Sequence, residues 1–316
     1  MTILVKNVPL QALIVDRGRL RQQYLGATPC GPLDHFAYAV NGWLMQGGNS
    51  NAQIEIIHGS FSFSVSKAMQ CSVAGPDVHI QINGIDTPAW QVLQLHAGDE
   101  VSICTGKAGN VAYVSFSHQL VSEVAFGSVC TVVREQVGGL DGKGSVLKRG
   151  DEIRTFQSAK SQAVQLSAHN QHKLSELVNR MYRPRALGVL PGNQIDEFGK
   201  LGWLKLLTEE FQLTDKRSRM GYRLSGSPIR AQKQSMPSEP LTVGTIQIPA
   251  DGQPIVMMAD HQTMGGYPKI ANIQLCDIPY FAQRGTGDTL TFTESEAAVA
   301  AFEITRIHQR FHDIFN

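Results

Sequence analysis

A mainly β fold is predicted for this chain by three observations. Apolar and polar residues alternate over short runs, as in FSFSVSKAMQCSVAG from Phe61 and VLQLHAGDEVSIC from Val92, with the two-residue period of half-buried strands. The runs stop at Gly, Asp or Pro. A Gly-Asp pair followed by any residue and an aliphatic one recurs at Gly98-Asp99-Glu100-Val101, Gly150-Asp151-Glu152-Ile153 and Gly287-Asp288-Thr289-Leu290. Gly tolerates turn angles and Asp bonds locally to the backbone, so these are expected corners of related barrels. Their irregular spacing excludes a solenoid.

Taken in order, residues 1–155 form a first half of strands interrupted by one helix. In DHFAYAVNGWLM, Phe36, Ala39, Val40, Trp43 and Leu44 share a face, and Asp34 stands where an N-cap belongs. Residues 156–183 are polar, rich in Ser, Gln and Ala and without strand alternation, and are expected to form a linker. The second half, 184–316, holds a less regular helix in FGKLGWLKLLTEEF and a C-terminal helix from Thr293 onward. A Thr293/Glu296 capping box is expected to open the latter, and a stripe at Ala300, Ile304, Ile307, Phe311 and Ile314 to dock it on the protein or a partner. The 316 residues suffice for two domains of ordinary size.

A formal net charge of +1 with 17% charged residues supplies no basic stripe, so nucleic acid is not the expected partner. No segment approaches the ~20 apolar residues of a bilayer span, and the N-terminal residues lack a signal pattern, so a cytoplasmic protein without a membrane partner is expected. The five cysteines, Cys30, Cys71, Cys104, Cys130 and Cys276, are far apart and never form C-x-x-C, which suggests neither a disulfide framework nor a zinc site. His308 and His312 lack the Glu and third ligand of a zincin and read as surface residues. VGGLDGKGS, from Val137, fails the phosphate-loop spacing and reads as a glycine-rich hairpin.

Candidate chemistry concentrates in a few stretches. In the first half, Asp34 and Asn41 lie seven residues apart on one helix face, and Glu55 stands among Ile54, Ile56 and Ile57. Glu55 either faces outward, as the alternation favours, or is buried with a partner. In the second half Arg217, Arg219 and Arg223 surround Gly221 and Tyr222: either a solvated basic turn or a set of planar donors for carboxylate or phosphate. The densest stretch is GTIQIPADGQPIVMMADHQTMGGYPKIA, from Gly244. Gln247 and Gln253 lie beside prolines, Asp260 follows an apolar run, Gly265-Gly266 permits close backbone approach, and Tyr267 and Lys269 add a hydroxyl and an ammonium. Such a set can orient a carbonyl, hold an anion and move a proton; chance polar residues on a turn are the alternative.

These stretches, together with GPLDHFAYAVN, NAQIEI, AGDEV, PGNQIDEF, SRMGYRLSG and GTGDTLTF, resemble the allophanate hydrolase subunit 2 family, also called biotin-dependent carboxyltransferase-like, over nearly the whole chain. Within the family the resemblance is strongest to subunits of bacterial 5-oxoprolinase. It implies a cyclophilin-like β-barrel architecture and a partner of the allophanate hydrolase subunit 1 type, with a LamB/YcsF-like third subunit. The implied reaction is ATP-dependent opening of 5-oxo-L-proline to L-glutamate, with ATP bound by the complex and a small lactam or amide as substrate. Two alternatives follow from the same resemblance: a carboxyltransferase moving a carboxyl group from carboxybiotin to urea or a related amide, and a non-catalytic regulator of the kinase-inhibitor-antagonist type. No Met-Lys-Met occurs, so any biotin would arrive on another protein.

By this resemblance Asp260 is expected to accept a proton or orient water, with Lys269 and Arg219 holding anionic oxygens. Tyr267, Gln247 and Gln262 would position the carbonyl, and Thr263, Gly265, Gly266, Tyr222 and Arg223 would complete the substrate wall. The chain departs from the family pattern at Gly127-Ser128-Val129-Cys130-Thr131, where Gly-Ser-Arg-Ser-Thr is usual, and at Ser117-His118-Gln119, where Gly-Gly is usual. The first change removes an expected cation.

Overall fold

The computed structural model describes residues 1–45, 52–107, 109–157, 163–233 and 235–315. Part of the expected linker, 158–162, lies outside them. The chain is mainly β and divides into two compact units: 1–22 with 30–178 and 314–316, and 23–29 with 179–313. Among the described residues no helix is long and apolar enough to cross a membrane.

In the first unit two antiparallel sheets enclose the core. One runs in the order His118–Leu120, Glu152–Gln157, Thr2–Asn7, Ser60–Val65, Glu100–Thr105, Val78–Ile82, Ile85–Thr87. The other runs Gln11–Val15, Gln53–Ile57, Val111–Phe116, Met69–Ala74, Val92–Leu95. Alternate residues such as Ile3, Val5, Phe61, Phe63, Ile54, Ile56 and Val114 fill the space between. Helix α1, His35–Leu44, covers the outer face of the second sheet, packing on Val111–Phe116 and Met69–Ala74. Asp34 caps it, its Oδ1 accepting the N–H groups of Phe36 (3.1 Å) and Ala37 (2.9 Å). Trp43, expected on the buried face, is 37% exposed, whereas Asn41 and Gly42 are buried.

Helix α2, Ala168–Tyr182, occupies most of the stretch expected to be a linker, and the two units part within it after Val178. Only Leu174, Leu177 and Met181 are deeply buried apolar residues there, so its stripe is too sparse to stand out in a polar sequence.

The sheet of the second unit runs Thr289–Leu290, Phe211–Ser218, Gly221–Ser225, Ile255–Met257, Thr245–Gln247, Lys269–Ile273, Leu187–Pro191, Phe292–Glu294. Its two edge strands are separated in sequence by Thr291 alone, so the sheet must curl until its edges nearly meet, giving a nearly closed barrel. Helices α3, Gly199–Thr208, and α4, Ile278–Ala282, belong to this unit, as does most of α5, Ala297–Phe315. The capping box expected at Thr293 and Glu296 does not form: Thr293 lies in an edge strand opposite Gly188, and α5 begins at Ala297. Closing the barrel takes the residue that local sequence would have used as a cap.

The three Gly-Asp corners share one geometry. Gly98, Gly150 and Gly287 have φ of 91°, 93° and 91°, in the left-handed region that favours glycine. The following Asp donates its N–H to the carbonyl three residues back (His96, Lys148, Gly285) and its carboxylate accepts that same residue's N–H.

Candidate functional site

Lys269 begins a strand paired with Thr245–Gln247, and a bulge between Ile246 and Gln247 sets Lys269 opposite Gln247. Directly opposed residues share a sheet face, so the bulge aims ammonium and amide to the same side. Lys269 is 4% exposed, and its Nζ lies 3.2 Å from Oε2 of the partly exposed Glu239. Gln194 donates to that same Oε2 at 2.8 Å and accepts the Lys269 backbone N–H at 3.2 Å. These bonds from Gln194 and Lys269 hold the Glu239 carboxyl below the usual carboxylate range.

The surrounding loops fit this arrangement. The Pro191-Gly192-Asn193-Gln194 turn leaves its strand beside Lys269, and a Cβ on Gly192 would lie 2.4 Å from the Lys269 carbonyl oxygen. Glu239 pairs with Gly265, where a Cβ would fall 2.6 Å from Gln247 Nε2, 2.8 Å from Leu241 and 3.3 Å from Gln262 Nε2. Gly266 is likewise pressed against the Met236 carbonyl. Gln247 donates to the Tyr267 carbonyl at 3.4 Å, and the Tyr267 side chain is exposed. The carbonyl of Thr263 accepts the Leu241 N–H, holding the loop in place. The result is a buried ammonium among amides, beside a glycine that leaves room for them. Amides both donate and accept, which suits a planar amide, ureide or lactam, and the ammonium suits a carboxylate or developing oxyanion.

Other expected residues take different roles. Arg219 grips both oxygens of Asp260, Nε to Oδ2 and Nη2 to Oδ1, each at 2.8 Å, with both residues buried. The Asp260 N–H also donates to the Arg219 carbonyl at 2.7 Å. Asp260, expected to accept a proton or orient water, therefore has both carboxylate oxygens held in this ion pair, and Arg219, expected to hold an anionic oxygen, has that of Asp260. Tyr222 is buried against Phe281 with its hydroxyl 3.3 Å from the Ala282 carbonyl, so it is a core residue. Arg223 pairs with Asp251, and Arg217 donates to the Arg284 carbonyl, so the arginine set is dispersed onto separate partners. Sequence reasoning misses Gln194, visible only as part of PGNQ, and Glu239, which no local pattern marks. It also misses His261, whose ring contacts the Gln262 carbonyl and whose pKa burial pushes below 6.5.

The first-unit candidates form a separate, internal network. Glu55 is wholly buried, not outward-facing: Tyr113 donates to its Oε2 at 2.7 Å and the Leu33 N–H at 2.9 Å. The reason is α1, which covers the face that alternation assigns to solvent. Tyr113 Oη in turn accepts the Asp34 N–H, and Asn41 donates to Gln53 and the Tyr113 carbonyl. Asp34, Asn41 and Glu55 thus pin α1 to its sheet. At the Gly127–Thr131 departure, Ser128 and Val129 bond to Asp16, and the buried Arg19 lies against the Cys130 carbonyl.

The fold is shared with a solved structure of the urea carboxylase of Kluyveromyces lactis, which superposes over 99% of this chain with a TM-score of 0.88 at 18% identity. This chain spans 29% of that larger one. Residues 25–294 match the family described as carboxyltransferase domain, subdomain A and B, and the chain belongs to that family. It is also similar to the 5-oxoprolinase C subunit of Haemophilus influenzae, 28% identical over 98% of this chain and 96% of the relative. The corresponding 5-oxoprolinase C subunit of Escherichia coli K12 is 29% identical over 89% of this chain and 87% of the relative.

Proposed function

We propose that the chain is a subunit of an ATP-dependent 5-oxoprolinase-like complex that opens 5-oxo-L-proline to L-glutamate, working with an allophanate hydrolase subunit 1-type protein and a LamB/YcsF-like subunit. The carrying observation is the end-to-end similarity to two 5-oxoprolinase C subunits. The Lys269 cluster is compatible in kind. A 5-oxoproline carboxylate would replace Glu239 as the partner of the ammonium, and Gln194, Gln247 and Gln262 would meet the lactam N–H and carbonyl. Glu239, its pKa lowered, keeps Lys269 paired until an anion arrives.

ATP in such a complex supplies activation of the lactam carbonyl. The glycine-rich segment of this chain does not fit a phosphate cradle: Cβ positions at Gly138 and Gly144 are filled by the Cys130 and Val132 carbonyls, and a strand, not a helix, follows. We therefore assign the nucleotide to the other subunits. The test is co-expression with a subunit-1-type partner and a LamB-like subunit. Expected is a stable complex whose ATP hydrolysis requires 5-oxoproline; intact assembly without that dependence overturns the reading.

A second reading is favoured by the family's description and the fold shared with urea carboxylase: carboxyl transfer to urea or a similar amide, with biotin carried on another protein. Biotin-dependent carboxylation of urea by the assembled complex would select it.

A further inference from the structure

Around the end of the first strand of the second sheet, the first unit gathers two cysteines and a buried cation. Arg19, 1% exposed, points Nη1 at Cys30 Sγ (3.0 Å), Nη2 at the Cys130 carbonyl (2.8 Å) and Nε at the Ala125 carbonyl (3.3 Å). The Gly31 N–H donates to Cys130 Sγ at 3.3 Å. Because that nitrogen is bonded to the Cys30 carbonyl carbon, the Cys130 sulfur lies within about 6 Å of Cys30 Cα. Cys30 Sγ reaches about 2.8 Å from its own Cα, so rotating that side chain toward Cys130 leaves about 3 Å between the sulfurs, and a small backbone shift closes it to the disulfide bond length of about 2 Å. Cys30 is partly exposed and sits in a left-handed backbone conformation, φ 48°, next to Gly31, φ 102°.

The neighbouring charges leave the guanidinium facing sulfur. Asp16 is taken up by Gly18 N–H, Ser128 Oγ and Val129 N–H, and Ser128 Oγ also accepts the Cys130 N–H. Burial, and then Asp16 and Cys130, push the Tyr38 hydroxyl well above its ordinary range, so it stays neutral. A partly exposed thiol beside a guanidinium has the setting of a reactive cysteine. The other cysteines do not share it. Cys71 and Cys276 are buried, and burial pushes their thiols up to about 12 and about 11. Cys104 is exposed, with its thiol at the Thr105 carbonyl.

We propose that Cys30 and Cys130 form a peroxide-reactive dithiol, with Arg19 holding the Cys30 thiolate and Cys130 as the resolving thiol. The Cys30 thiolate attacks hydrogen peroxide: an S–O bond forms, the O–O bond breaks, and hydroxide takes a proton to leave as water. Cys130 sulfur then attacks the sulfenic acid, forming S–S, breaking S–O and releasing a second water. Two thiols lose two electrons and one peroxide gains them. The product ties the loop before α1 to the Gly127–Thr131 segment and takes the sulfur acceptor from Arg19.

The test treats the full chain with equimolar hydrogen peroxide, blocks remaining thiols and maps peptides without reduction. Expected is a Cys30–Cys130 cross-linked peptide, with Cys104 still free. In Cys130→Ser a dimedone adduct accumulates on Cys30, and in Cys30→Ser the cross-link is lost. Without oxidant, Cys30 should alkylate about 10-fold faster than Cys104 at neutral pH. Both substitutions are near-isosteric, and melting curves check their folding. Peroxide oxidation of Cys104 in preference to Cys30, or equal alkylation rates with no cross-link, overturns the proposal.

Discussion

Lys269 and Asp260 stand nine positions apart in one stretch and are equally legible as chemistry-bearing residues, yet Asp260 is paired with a buried Arg219 while Lys269 is paired with a partly exposed Glu239, and the proposed function places the ligand at Lys269 on that ground. Removing its charge with Lys269→Met, which keeps the apolar stem, should lower kcat/KM of the reconstituted complex by about 100-fold while leaving the melting temperature near that of the parent. An unchanged rate removes Lys269 from the site. Asp260→Asn instead leaves the buried Arg219 without its counter-charge and should cost about 3 kcal/mol or more of unfolding free energy, read by urea denaturation. A change within about 0.5 kcal/mol would contradict the structural role given to that pair. Local sequence does not separate the two roles, because the Arg219 that neutralises Asp260 lies 41 positions away.

Among the elements, the Gly-Asp corners are legible from four residues because their bonds are local. Asp99 illustrates the energetics: the His96 N–H first, and the Asn83 amide second, hold its carboxyl below the ordinary 3.8. The folded-state value is depressed, so its stabilisation is present above the unfolded value and is lost as pH falls through the lower folded one. Asp99→Asn should therefore flatten the fall in stability as pH drops below the ordinary carboxylate range, measured by urea midpoints along the acid limb. An unaltered acid limb would show that this corner does not carry the effect. Helix α1 is equally legible through its cap, although its buried face takes in Asn41 and Gly42 and leaves the predicted Trp43 exposed. Helix α2 and the start of α5 are not, since one has a sparse apolar face and the other yields its apparent cap to a barrel edge.

At the scale of the whole molecule, family membership follows from motifs spread over nearly all the chain, whereas the activity proposed for it would rest on partners. The chain alone is expected to show no 5-oxoproline-dependent ATP hydrolysis and to co-purify with a subunit-1-type protein when the two are expressed together. Full turnover by the isolated chain would contradict the division of labour proposed, which leaves the nucleotide to other subunits.

The β period, the Gly-Asp corners, the capped first helix and the family all follow from the amino-acid order. Each is written in residues a few positions apart, or in motifs long enough to identify without coordinates. The folded chain was needed to bury Glu55, to lock Asp260, to bring Gln194 and Glu239 to Lys269, and to set Cys30 beside Cys130 at Arg19. Those facts depend on which face a neighbouring element covers and on bonds between residues 11 to 111 positions apart, such as Arg19 with Cys30 and with the Cys130 carbonyl. A local pattern carries no information about either.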